Sequence, residues 1–199
     1  MRRWRGTCGR LLLLAVLALG PPAGAAELSD RARATLDRGR AYVEVRPDAD
    51  GSSGLIRAAI DIPASAEVVW QVMVDCDLAP RMVANLKSCR ILDRDPAGRW
   101  DVREYVSHTT FFMPSVRNVF RSDYQPGRRI SFHRTAGDLT VFEGQWRLEQ
   151  SPVGGVRVFY ENRVGLPFHA PGALVRLALR HDVPAALLAL RREALARSP

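Results

Sequence analysis

Residues 60–75 read Ile60-Asp61-Ile62-Pro63-Ala64-Ser65-Ala66-Glu67-Val68-Val69-Trp70-Gln71-Val72-Met73-Val74-Asp75. Leu55 to Ile62 has the composition of a strand, and Pro63-Ala64 ends it in a turn. Ser65 is a good N-cap for the helix that follows. Glu67 falls in its first turn, where the helix macrodipole favours an anion. Val68, Val69, Val72 and Met73 recur at helical spacing and give the helix one apolar stripe. Asp75 to Pro80 breaks the helix, and a second short helix is expected from Arg81 to about Leu86.

Toward the N-terminus, Leu28 to Arg40 reads as a helix capped by Ser29 or Asp30 and weakened at Gly39. Tyr42 to Val45 alternates as a strand does. Residues 47–54 are dense in turn formers, so this strand and Leu55–Ile62 fit a hairpin. Before them lies a different kind of segment. Arg2, Arg3, Arg5 and Arg10 precede the apolar run Leu11–Leu19, and Ala23-Gly24-Ala25 offers small residues for cleavage. This is the pattern of a secretory signal peptide, and the run is too short to span a bilayer; cleavage near Ala25 or Ala26 is expected, with an uncleaved N-terminal anchor as the alternative. The expected organisation is a leader over 1–26, an N-terminal extension over 27–54 and the main domain over 55–197. The expected location is periplasmic or secreted.

Removing the leader takes four arginines and no acidic residue, so a formal charge of +8 falls to +4. The remaining basic residues are dispersed along the chain, which argues against a nucleic-acid-binding face. Cys76 and Cys89 remain, 13 residues apart. In an oxidising compartment they either pair or stay as two buried thiols; pairing is expected.

Toward the C-terminus the pattern turns to period two. Strands are expected over 88–93, from Trp100, and over 116–124, 129–135, 140–149 and 156–164, separated by turns such as Gln125-Pro126-Gly127. From Ala173 to about Ala196 the chain is rich in Ala, Leu and Arg, which is helical composition. Pro184 either kinks one long helix or sits in the first turn of a second. A meander with helices segregated to one side makes the fold class α+β.

The stretch from Ile60 to Asp75, the turn Asp123-Tyr124-Gln125-Pro126-Gly127-Arg128-Arg129-Ile130 and the strand Glu143-Gly144-Gln145-Trp146-Arg147-Leu148 together resemble the START-like (SRPBCC) superfamily. This includes the polyketide cyclase/dehydrase and lipid-transport group and coenzyme-Q-binding-like proteins. The resemblance runs from about Leu55 to Arg192. It implies a helix-grip fold, in which a curved antiparallel sheet wraps around a long C-terminal helix. It also implies a hydrophobic small-molecule ligand held between the two.

No phosphate-binding loop, dinucleotide fingerprint, zinc-protease motif or nucleophile elbow is present. No catalytic residue, metal site or cofactor is assigned. Strand alternation suggests which side chains face inward. Phe142 and Trp146 share one face of a strand, Phe132 lies on the neighbouring one with Arg134 at the rim, and Tyr160 is on the last. On the strand from Trp100 the same reasoning selects Val102, Glu104, Val106 and His108. Met82, Leu86, Leu174 and Leu177 are expected to close the space from the helices. Alternation alone fits a filled core equally well; the resemblance is what suggests a cavity. Glu104, His108, Asn118 and Arg134 are the polar candidates. They could orient a ligand head group or move a proton, or Glu104 and Arg134 could form an interstrand ion pair. Arg176, Arg180, Arg191 and Arg192 on the last helix fit a transient contact with a membrane surface. The expected function is an exported carrier for a lipid, quinone or similar molecule. The alternatives are a cyclase or dehydratase and a protein-interaction module.

Overall fold

The computed structural model describes residues 28–47, 53–108, 115–167 and 172–198, with the side chains of the last helix described from Val175 onward. The leader expected over 1–26 lies outside them. The elements are α1 (Asp30–Leu36), β1 (Tyr42–Pro47), β2 (Gly54–Ile62), α2 (Ala66–Val74), α3 (Ala79–Met82) and β3 (Leu86–Arg94). β4 (Trp100–Ser107), β5 (Val116–Gln125), β6 (Arg129–Gly137), β7 (Val141–Gln150), β8 (Val156–Gly165) and α4 (Gly172–Leu195) follow. The architecture is the expected α+β helix grip.

The eight strands form one antiparallel sheet in the order β1-β2-β8-β7-β6-β5-β4-β3. All consecutive pairs except β2–β3 are neighbours. β2 instead pairs with β8, with Ile62 opposite Val156 and Gly54 opposite Val164. A buried charge fixes this pairing. Asp61 is 7% exposed and faces Arg157, which reaches both carboxylate oxygens at 2.7 Å. The Ser151 hydroxyl donates a third bond at 2.8 Å and so ties the β7–β8 turn to β2. Burial would raise the Asp61 carboxyl pKa, but the bonds from Arg157 and Ser151 outweigh it and hold the group below its ordinary range.

Sequence signals set the helix ends. The Ser65 hydroxyl accepts from the Val68 amide at 3.2 Å and starts α2, and Ser29 caps α1 in the same way through Ala32. The second short helix sits earlier than expected, at Ala79–Met82 instead of Arg81–Leu86. Pro80 favours the first helical turn, and Asn85 takes a left-handed conformation (φ 61°) that turns the chain into β3. Leu86 is therefore the first residue of a strand. α4 is one helix that runs through Pro184. Leu187, Leu190 and Ala194 form its buried stripe, packed against Ile60, Ile62, Val69, Val72 and Val158. Each of the large apolar side chains in this cluster contributes roughly 1.5–3 kcal/mol by leaving water.

The N-terminal extension is part of the same sheet, since β1 pairs with β2 from Tyr42–Ala59 to Pro47–Gly54. Arg191 of α4 donates to the Gly39 carbonyl at 2.8 Å and fastens the helix to the α1–β1 turn.

Cys76 and Cys89 form a disulfide with Cα atoms 5.5 Å apart. It joins the α2–α3 connection to β3. Cys76→Ser should lower unfolding free energy by about 3 kcal/mol, read as a shifted urea midpoint under oxidising conditions. A second expectation concerns the β3–β4 turn, where Arg99 Nε donates to Asp95 at 2.6 Å and the Arg99 amide adds a bond at 3.1 Å. These bonds lower the Asp95 pKa from 3.8 to about 2. A depressed carboxylate stabilises the fold above its unfolded pKa and loses that contribution as pH falls through the folded value. Stability measured between pH 5 and pH 2 should therefore fall less steeply in Asp95→Asn than in the parent protein.

Candidate functional site

Between the concave face of the sheet and the helices lies a cavity with two adjoining lobes. The first, about 340 Å³, sits over β4, β5 and β6. The second, about 320 Å³, sits under α4 and α3. Met73, Val83, Tyr105, Trp146 and Tyr160 border both.

The wall is largely aromatic. Phe120 and Phe142 have ring centroids 5.0 Å apart, Phe142 and Phe132 4.9 Å, and Trp146 and Tyr160 4.1 Å. Phe120, Phe132, Trp146 and Tyr160 come from four strands and meet because alternate residues of paired strands share a face. At Gly144, between Phe142 and Trp146, β7 runs close to β8. A Cβ there would lie 2.0 Å from the Glu161 carbonyl oxygen.

The first lobe ends on a buried polar network. Arg103 is 4% exposed. Its Nε donates to Asp101 at 3.0 Å, and Nη2 reaches the other carboxylate oxygen of Asp101, the Val74 carbonyl at 3.2 Å and the Tyr124 hydroxyl at 2.6 Å. Tyr124 donates to Asp101 at 2.6 Å. Burial works to depress the Arg103 pKa, but the bond to Asp101 and the nearby tyrosines outweigh it and push it up. Burial also raises Tyr105, Tyr124 and Tyr160, so these phenols stay neutral. On the outer side of this network is a separate open cleft of about 680 Å³, lined by Trp70, Trp100 and the disulfide.

Two amides in the cavity are incompletely satisfied. Asn118 of β5 lines the first lobe and Asn162 of β8 lines the second. They are 5% and 4% exposed, and the side-chain oxygen of each is buried with no hydrogen-bond partner. Leaving such a group unpaired costs about 1–3 kcal/mol.

The sequence-derived site residues divide into two groups. Phe132, Phe142, Trp146 and Tyr160 line the cavity, and Met82 borders the second lobe. Leu86 is buried at the start of β3 but is not part of the lining. Leu177 is 68% exposed and Arg134 is exposed, donating to the Gly137 carbonyl at 2.6 Å. The side chain of Leu174 lies outside the described residues. The reading of β4 is corrected: Arg103, Tyr105 and Ser107 face the cavity, so Val102, Glu104 and Val106 face the other way. His108 lies just past the strand, exposed, beside the Ser115 hydroxyl at 2.9 Å. Glu104 binds Arg90 at 2.8 Å and also Arg117, not Arg134. Of the four polar candidates, only Asn118 lines the cavity.

The physical reason is that β4 buries its polar face. Asp101 and Arg103 neutralise each other there and leave Tyr105 to line the space, while Val102 and Val106 are half-buried on the convex side. The register shows the face that strand alternation alone left undecided: Tyr105 pairs with Asn118 and Arg103 with Phe120, so these residues share a face. Among the described residues, no group of three or more His, Cys, Asp or Glu is placed to hold a metal.

Residues 62–191 match the family described as polyketide cyclase / dehydrase and lipid transport. The chain belongs to this family. Solved structures with the same fold include the ZhuI aromatase/cyclase of Streptomyces sp. R1128, with 15% identity over 73% of this chain and 95% of that one (TM-score 0.61). Human STARD10 has 13% identity over 84% of this chain and 77% of that one (TM-score 0.65). A STAR-related lipid transfer protein of Xanthomonas axonopodis has 14% identity over 76% and 98% (TM-score 0.60). No curated protein matches the sequence significantly. The family description spans both cyclase/dehydrase and lipid-transport proteins, and the solved structures with this fold include an aromatase/cyclase and a lipid transfer protein.

The buried pair at the end of the first lobe gives a stability prediction. Arg103→Leu leaves Asp101 buried without its partner and should cost about 3–5 kcal/mol in chemical denaturation. Removing both charges, in Arg103→Leu with Asp101→Leu, should recover much of that loss.

Proposed function

We propose that this protein is an exported carrier that binds a neutral or weakly polar apolar molecule in the two-lobed cavity. The observation that carries this reading is the cavity itself, walled by Phe120, Phe132, Phe142, Trp146 and Tyr160 and roofed by α4. Concave, mainly apolar sites with a few polar groups are the common form of small-molecule pockets. Carrier function fits the titratable groups as well. Among the described lining residues these are Arg103, three tyrosines and Asp182. The tyrosines are held neutral and Arg103 is held charged, which favours binding over proton transfer near neutral pH.

Export rests on the leader pattern of residues 1–26 and agrees with the Cys76–Cys89 bridge, since disulfides persist in oxidising compartments. At the surface, Leu177 is exposed on α4 next to exposed Arg180, a combination suited to brief contact with an anionic lipid surface during ligand exchange. A cyclase reading draws on one feature, the guanidinium of Arg103 beside Tyr105 and Tyr124 at the cavity end, where it could stabilise a developing enolate.

Native mass spectrometry on protein exported to a bacterial periplasm and purified without detergent should show a bound mass that organic solvent extracts. A clean apo mass, together with turnover of an added polyketide-type substrate, would favour the cyclase instead. The mature N-terminus in the same spectrum should fall near Glu27; retention of residues 1–26 would refute the cleaved leader.

A further inference from the structure

We infer that Asn118 and Asn162 are the specificity-determining acceptors of the cavity, and that its occupant is a neutral molecule carrying a hydrogen-bond donor, such as a hydroxyl, at each end. This rests on the cavity reading above and narrows the ligand class.

The two amides line different lobes, Asn118 the first and Asn162 the second. Asn118 lies on β5 and Asn162 on β8, with β6 and β7 between them, about 14 Å across the strands. Their ranks differ too. Asn162 is opposite Gly144, which leads through Phe132 to Ser122, four residues along β5 from Asn118. One acceptor therefore belongs to each lobe.

Each side-chain oxygen is buried without a partner. The Asn162 amide nitrogen donates to the Tyr160 hydroxyl at 2.8 Å, which leaves its oxygen as the end that lacks a bond. Buried amide oxygens are rarely left unpaired, so a site with one in each lobe is built for a ligand that supplies the donors. A carbonyl oxygen repels carboxylate and phosphate oxygens. No cation is available to offset that repulsion, because the Arg103 guanidinium is held by Asp101 and the other charged lining residue described is the carboxylate of Asp182. A fatty acid or phospholipid head group is disfavoured at both ends, whereas a diol satisfies both.

The test uses three straight-chain probes of equal length: dodecanediol with a hydroxyl at each end, dodecanol and dodecanoate. Each competes with the neutral dye N-phenylnaphthylamine at pH 8 in the purified full chain. The diol should bind about tenfold more tightly than dodecanol and dodecanol more tightly than dodecanoate. Asn118→Leu and Asn162→Leu should each remove the advantage of the diol over dodecanol. At the same time each ligand-free variant should melt at the same or a higher temperature than the parent, a direction that a merely structural asparagine would not give. If either variant fails to fold, the other and the ranking of probes on the parent protein still decide. Equal affinity for the diol and dodecanoate, or an unchanged diol preference in both variants, would overturn the inference while leaving the cavity reading intact. Failure of all three probes and the dye to bind would overturn the cavity reading and the inference with it.

Discussion

The pairing of β2 with β8 is the constraint on which the rest of the structure depends. It places the first long strand of the family domain beside the last, and so sends β3 to the far edge of the sheet. Six strand spacings, about 29 Å along the sheet, separate β2 from β3. The connection between them has to cross the concave face, and α2 and α3 are that connection. Met73 of α2 and Val83, just after α3, border the first lobe. The buried Asp61–Arg157–Ser151 cluster matters for this reason: a one-residue slip of β2 against β8 would break it and turn Ile60 and Ile62 outward.

The disulfide acts on the same segment. Cys76 lies at the end of α2, and its bond to Cys89 holds the crossing connection to the edge strand. Met73, before that anchor, and Val83, after it, border both lobes, and Met82 borders the second. The wall formed by α2 and α3 is thus fixed at one covalent point, while α4 is held through its apolar stripe and the Arg191–Gly39 bond.

The cavity combines two kinds of polar group. Arg103, Asp101 and Tyr124 satisfy one another and close the first lobe as a neutral plug. The side-chain oxygens of Asn118 and Asn162 are not satisfied within the protein. A fully bonded buried network rigidifies its surroundings, whereas an unpaired acceptor lowers stability until something binds it. The plug shapes the site and the asparagines select what enters it.

The sequence by itself determined the element types, the antiparallel meander, the capped helix after Ser65 and the pairing of the two cysteines as one of two outcomes. These depend on local periodicity, caps and turn residues, which act over a few positions. It also placed Phe132, Phe142, Trp146 and Tyr160 on one face, because in β6–β8 the apolar residues are the inward ones. Tertiary structure decided the face of β4, where a compensated ion pair reverses the usual link between polarity and exposure and removes Glu104 and His108 from the site. It decided as well that Pro184 lies within one helix, that residues 42–47 join the sheet, and that the side-chain oxygens of Asn118 and Asn162 are left without partners, one in each lobe of the cavity. Each of these depends on which distant strand or helix lies opposite, and no short stretch of sequence contains that information.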